Sequence, residues 1–329
     1  MRGSSSVGRQ GRVRWCGGAR RATVGIGVLA AVLALAGIAR AQTPGAEPAS
    51  GTPAADSEEE RQTRLMALYD KMIQFNLSGP HARSAAEIDA EMTQLASLPV
   101  GERIAAWADW FNLLGDTTYV YGRDPQGYVT QGRLVDDCHT DCVLFFYRTT
   151  ELGRSSTALE AVQFAFGTRF YGASLEGVVR PDGRVDYDTP VHLDYAMDIL
   201  RSGYWGAEIT ATLGPTVADE AGTSRYPAGT VQYVPTSKLA LEKLQSGDIV
   251  FFITDEKTAR GRTVRESGDL IGHLGIVQVE NGTPYLIHAA SKGLAGLYPG
   301  ARVEKVALAT YLARVETFKG ILAARIENF

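Results

Sequence analysis

The chain is 329 residues long with a formal charge of −4, and its 45% hydrophobic and 21% charged residues are proportions of a folded globular protein, excluding collagen-like, coiled-coil and wholly disordered chains. The charge averages two unlike parts: residues 1–41 hold seven arginines and no acid, leaving 26 basic against 37 acidic side chains in the other 288 residues, a net of −11. So acidic a body lacks the clustered Lys and Arg that nucleic acid or anionic lipid requires, which sets nucleic-acid partners aside.

Residues 1–41 read as an export signal: an Arg-rich leader, an apolar run from Ala22 to Ala39, and Ala39-Arg40-Ala41 as an A-x-A site before Gln42. The run is near the length of a spanning helix, so an uncleaved N-terminal anchor is the alternative; either way the domain is expected to be exported, periplasmic or secreted. No other apolar run approaches that length, so no membrane span is expected in the mature chain. Residues 42–56, rich in Pro, Ala, Gly and Thr without apolar periodicity, read as a disordered linker.

Ser57 with Glu60 and Ser84 with Glu87 have capping-box spacing and open two helices, a helical extension over residues 57–98. A third helix is predicted over 101–114, where Ile104, Trp107, Trp110 and Phe111 form an apolar stripe and Gly115 supplies the stop. Trp107 and Phe111 read as core, with a sugar-binding groove as the alternative. Further helices are predicted from Asp141 to about 150, over 157–166 and near 195–200, with a strand near 207–212 and a Gly/Pro/Thr loop over 213–230. Strands then follow at 248–254, 275–279 and 283–288. Helices first and a β-meander after them predict an α+β fold.

Cys16 lies in the leader, so the mature chain keeps only Cys138 and Cys142, too few for a disulfide framework. Cys142 follows Asp141 at the predicted start of a helix, where the positive end of the helix dipole favours thiolate, the form that attacks carbonyl carbon. A base must come from elsewhere. The mature chain has His81, His139, His192, His273 and His288. His273 heads the strand HLGIVQV and His288 closes the next, so adjacent antiparallel strands would bring both imidazoles to one edge, His288 orienting His273. Nucleophile, base and orienter are then all present. Other readings stay open here: Cys138 as nucleophile, a Cys138–Cys142 disulfide acting as a redox switch, and a zinc site from Cys138, His139 and Cys142. Arg169 and Arg180 are candidates to meet substrate carboxylates.

Four segments resemble the NlpC/P60 cysteine peptidases and amidases of bacterial cell walls: LLGDTTYVYG (113–122), DCVLFF (141–146), LQSGDIVFF (244–252), and HLGIVQVENG followed by LIHAAS, with Cys, His, His in the family's chain order. The long insert between Cys142 and Leu244, the DYAMDI segment and the closing YLARVETFKGILAARI resemble most the DUF1460 group, described as N-acetylmuramoyl-L-alanine amidase-like. The resemblance covers residues 99–329. It implies a papain-like core, a helix bearing the Cys packed on an antiparallel sheet bearing the His residues. It implies Cys142 as nucleophile, His273 as base and His288 as third residue. Tyr119 and Asp141 would help shape the site, and Asp194 and Tyr195 would lie in a substrate-facing helix together with His192 and Asp198. No metal or organic cofactor is implied.

The implied partner is peptidoglycan or muropeptide fragments, cut at the N-acetylmuramoyl–L-alanine amide. A γ-D-glutamyl–diamino acid endopeptidase and a catalytically silent wall-binding domain are the alternatives. The sequence departs from the family at Val143 and Leu144, where small or hydroxyl residues are usual, at Cys138, and in a long polar insert over 255–272 that reads as a flap.

Overall fold

A computed structural model of the chain describes residues 57–193, 196–221, 229–255 and 270–327. The leader, the linker, Asp194, Tyr195 and most of the 255–272 insert lie outside the described residues.

Helix α1 (Glu58–Ser78) opens as its spacing predicts, with the Ser57 side chain accepting from the Glu60 N–H while the Glu60 carboxylate accepts the Ser57 N–H at 2.8 Å. Ser84 caps α2 (Ala85–Leu95) by its side chain alone, which accepts the Glu87 N–H at 3.2 Å. Helix α3 (Val100–Leu114) ends on Gly115, whose φ of 65° is left-handed and whose N–H returns to the Phe111 carbonyl. Trp107 and Phe111 are buried, so the aromatic stripe is core. The remaining helices are α4 (Tyr128–Gln131), α5 (Cys142–Gly153), α6 (Ala158–Arg169), α7 (Leu175–Val178), α8 (Ala196–Ser202) and α9 (Leu308–Arg314).

The strands are β1 (Thr118–Tyr119), β2 (His139–Thr140), β3 (Ala207–Glu208), β4 (Val217–Ala221), β5 (Gly229–Pro235), β6 (Ile249–Thr254), β7 (Ile271–Glu280), β8 (Thr283–Ala290), β9 (Arg302–Ala307) and β10 (Phe318–Arg325). They lie in the order β2-β1-β9-β8-β7-β6-β10-β5-β4, with β3 added to β10, and only β1 and β2 run parallel. The fold is therefore mixed α+β, with one large sheet. Two local expectations fail. The segment read as a loop over 213–230 contains β4 and the start of β5, because an outer pairing with β5 orders polar residues that carry little strand signal. The strand expected over 207–212 stops at Glu208 and turns into a short 3₁₀ helix over Thr210–Thr212.

Because successive strand residues point to opposite faces, β6 separates two cores: Ile249, Phe251 and Ile253 face α3 and α5, while Val250 and Phe252 face α9. Covering both faces explains why β6 is apolar without alternation. Each buried Phe, Ile or Leu contributes about 1.5–3 kcal/mol. A third core lies under α1 and α6, around Met72, Val162, Phe170 and Tyr187. Residues 57–98 are tied into this body: Ile88 and Met92 join the α3/α5 core, and the buried Asn76 accepts the Leu134 and Val135 N–H groups at 2.8 and 3.0 Å.

Candidate active site

Asp141 is the N-cap of α5. One carboxylate oxygen accepts the Leu144 N–H at 2.8 Å and the other accepts the Gly122 N–H at 2.9 Å. The cap thus ties the 113–122 segment to the helix that carries Cys142. Gly122 has to be glycine for that approach, since a Cβ there would stand 2.6 Å from the Tyr128 ring. Tyr119 lies half-buried on β1, and burial raises its phenol above the ordinary range, with Cys142 and Asp141 adding to the shift.

Cys142 is the first residue of α5, half-buried, with a free thiol. The Cys138–Cys142 disulfide, one of the readings left open by the sequence, is not formed. Burial pushes the Cys142 thiol up to about 12 and the Asp141 carboxylate adds to the rise, against donation from the Leu274, Cys142 and Val143 backbone N–H groups. Desolvation thus works against the thiolate that a helix start favours, and it exceeds the contribution of the helix-end donors.

Leu274 is the residue after His273 on β7. Leu274 belongs to the core under α3 and α5, whereas the His273 ring lies on the α9 side among Phe252, Phe318 and Tyr311. His273 is half-buried, and burial lowers its imidazole to about 4. Its Nε2 stands 2.7 Å from Nδ1 of His288, the direct contact expected from adjacent antiparallel strands. His288 is 1% exposed, and burial, followed by the neighbouring His273, holds it well below the ordinary imidazole range. The structure joins the two imidazoles directly, and α5 packs on the strand that carries His273.

Several side chains around the pair were not singled out from sequence. Tyr311 and Tyr298 stand edge-on to His288 with ring centroids 5.1 and 5.5 Å away, and Phe252 and Phe318 stack on His273 at 5.8 and 6.3 Å. Tyr311 and Phe318 fall in the closing YLARVETFKG segment, so the resemblance there was the available signal.

The other candidates lie elsewhere. The Cys138 sulfur is 3.6 Å from the Pro80 carbonyl and precedes the helix by four residues, away from the N–H donors that face Cys142. Among the described residues no group of three or more His, Cys, Asp or Glu could hold a metal ion, so Cys138, His139 and Cys142 do not converge as a zinc site would. His81 packs against Phe75, and His192 is buried against Phe170 and Tyr187. Arg169 is a correction: it is fully buried, with Nε and Nη2 donating to Glu151 at 2.8 and 2.7 Å, and cannot meet a substrate carboxylate. Arg180 pairs with Asp186 at 3.3 Å. Asp194 and Tyr195 lie outside the described residues.

No family model matches the chain, and no curated protein matches it. Among solved structures, a DUF1460-family protein from Legionella pneumophila is similar with a TM-score of 0.53 and 16% identity, covering 74% of this chain and 94% of its own. An N-acetylmuramoyl-L-alanine amidase from Bacteroides uniformis gives a TM-score of 0.46 and 17% identity over 70% of this chain and 99% of its own. The first likeness gives the class: a mixed α+β protein whose large sheet and flanking helices are arranged as in a DUF1460 structure. Among the described residues no helix is long and apolar enough to cross a membrane.

Proposed function

We propose that the chain is an exported cysteine amidase with a papain-like NlpC/P60 core over residues 99–329, hydrolysing the N-acetylmuramoyl–L-alanine amide of peptidoglycan or its fragments. Residues 1–41 serve as the export signal, 42–56 as a linker and 57–98 as a helical extension. One observation carries this reading: a free thiol at the first residue of a helix capped by Asp141 accompanies two imidazoles on adjacent strands, with His273 Nε2 held 2.7 Å from His288 Nδ1. The amidase name of a solved neighbour agrees with the substrate class that the sequence resemblance implies.

In the reaction, His273 donates its Nε2–H to His288 Nδ1, which leaves a lone pair on His273 Nδ1. As the Cys142 sulfur attacks the amide carbonyl, that nitrogen takes the thiol proton, a transfer that requires the His273 ring to turn from the α9 side toward the start of α5. The proton then passes to the departing L-alanyl nitrogen as the C–N bond breaks. Water, deprotonated by the same nitrogen, cleaves the thioester and restores the thiol. Starting from neutral partners, proton transfer accompanies attack, and the Cys142 N–H at the helix start stabilises the oxyanion. Tyr119 and Asp141 shape the cleft, and the sequence resemblance assigns substrate binding to Asp194 and Tyr195, which lie outside the described residues.

Mass spectrometry of muropeptides incubated with the purified protein tests this reading. Stem peptides with a free L-alanine amino end are expected. Stems cut after D-glutamate would assign the endopeptidase reaction instead, and binding without cleavage would mark a silent wall-binding domain. Cys142→Ala is expected to abolish product and Cys138→Ala to retain it; persistent cleavage by the Cys142 variant would refute the nucleophile.

A further inference from the structure

His288 raises a physical question. Its Nδ1 is engaged with His273, but its buried Nε2 has no hydrogen-bond partner among the described residues. One hydrogen bond leaves an imidazole free to tilt, so its orientation has to come from the walls around it. Two rings stand edge-on to it, Tyr298 at 5.5 Å and Tyr311 at 5.1 Å. Only Tyr311 reaches further: its centroid lies 6.5 Å from His273, 5.3 Å from Phe252 and 6.3 Å from Phe318, the two rings that stack on His273. Helix α9, entered directly from β9, carries Tyr311 across the sheet face with only 4% exposure. The imidazole pair therefore sits in a box of aromatic rings that Tyr311 closes.

We propose that Tyr311 is the positioning residue of the histidine pair, and that its ring rather than its hydroxyl fixes the His273–His288 contact. For catalysis this rests on the cysteine amidase reading; for the geometry of the pair it does not. Edge-on packing of an aromatic ring orients a neighbour without adding charge, and it keeps water from the imidazoles. Apart from Tyr311, the titratable groups near the pair among the described residues are Cys142 at the start of α5, Tyr298 in the segment before β9, and Glu304, opposite His288 in register on β9. Glu304 accepts instead from the Gly300 N–H at 3.1 Å and from Arg302 at 3.0 Å. Removing the Tyr311 ring would admit water to both imidazoles.

The test is nitrogen-15 NMR of histidine-labelled protein, with His288→Ala used to assign the ring N–H that joins the pair. Tyr311→Phe is expected to keep that N–H signal and the wild-type titration of His273. Tyr311→Leu is expected to lose the signal and to move the His273 titration up toward the ordinary value of about 6.5. Amidase kcat should then fall about 100-fold in Tyr311→Leu, with KM changed less than about twofold. A folded Tyr311→Leu protein with unchanged signal and titration overturns the proposal, as does a Tyr311→Phe protein as impaired as Tyr311→Leu. Tyr311→Met, closer in volume, replaces the Leu variant if that fails to fold; should neither fold, the Phe variant still decides, its unchanged spectrum supporting the ring and a lost signal refuting it. If wild type cleaves no muropeptide yet the spectra change as expected, the amidase reading fails while the positioning role stands.

Discussion

Arg169 and His273 are both titratable groups withdrawn from water, and the molecule surrounds them in opposite ways. Arg169 is met by both oxygens of Glu151 and by the Tyr187 hydroxyl at 2.9 Å; burial works against its charge, but the carboxylate raises the guanidinium still further above its usual range. Arg148 and Asp137 form a second buried pair at 2.8 Å. His273 and His288 instead meet aromatic rings and each other, and burial drives both toward the neutral form. Paired charges fix a geometry because breaking them strands a buried ion, whereas neutral rings in an apolar box can accept a proton and return it. The first arrangement suits the scaffold and the second suits the site.

Acid should separate these arrangements most strongly. His81 is also lowered to about 4, by burial and then by Arg133. Between pH 6.5 and about 4 the unfolded chain therefore binds protons at His81, His273 and His288 that the folded chain excludes. Stability should accordingly fall as pH drops through this window, by roughly 1 kcal/mol per pH unit for each histidine. Urea midpoints measured from pH 7 to 4.5 check this, and a flat series would break the contrast. On the paired side, Glu151→Gln leaves Arg169 buried without its counterion and should destabilise by about 3–5 kcal/mol. Replacing both residues with apolar ones of similar volume should recover much of that loss in the same denaturation assay. At the nucleophile, a thiol pushed up to about 12 should react with iodoacetamide at pH 7, roughly 30-fold more slowly than an unhindered peptide thiol once its greater intrinsic nucleophilicity is allowed for. Mass spectrometry of the Cys142 peptide measures that rate, and fast alkylation would mean that the helix-end donors win after all.

Local chemistry was readable where it is local in sequence. Ser57–Glu60, Ser84–Glu87, the Gly115 stop and the Asp141 cap each act within four residues, so the helix starts follow from spacing alone. The adjacency of His273 and His288 followed from two apolar runs joined by a short turn. Strand β10 did not announce itself, because its Gly-Ile-Leu-Ala-Ala run lies between β6 and β5 with both faces covered and shows no alternation. The same limit hid the site's electrostatics: the dipole at a helix start can be inferred from Cys142 and its neighbours, but the burial that outweighs it comes from tertiary packing around the sulfur. The position of Tyr311 depends on α9 crossing the sheet face, a long-range arrangement that no short window of sequence contains.

The smallest expected effect lies at the opposite extreme of burial, at the first turn of α1. Ser57 and Glu60 exchange reciprocal hydrogen bonds there in full contact with water, and Glu58, Glu59 and Glu60 complement the positive end of the helix. Ser57→Ala removes one acceptor whose N–H partner can turn to solvent, so the loss should be about 1 kcal/mol or less. It should also stay local. Two turns further in, Arg64 bonds Glu176 at 3.0 Å, and Met72 is buried in the core under α6, so those contacts hold the rest of the helix. Hydrogen exchange should therefore speed up at the Glu60 and Arg61 amides while the amides beyond Tyr69 keep their protection, and the acid response of the histidines should be unchanged. Loss of protection throughout α1 would show that this exposed cap, and not the buried anchors, holds the extension on the body.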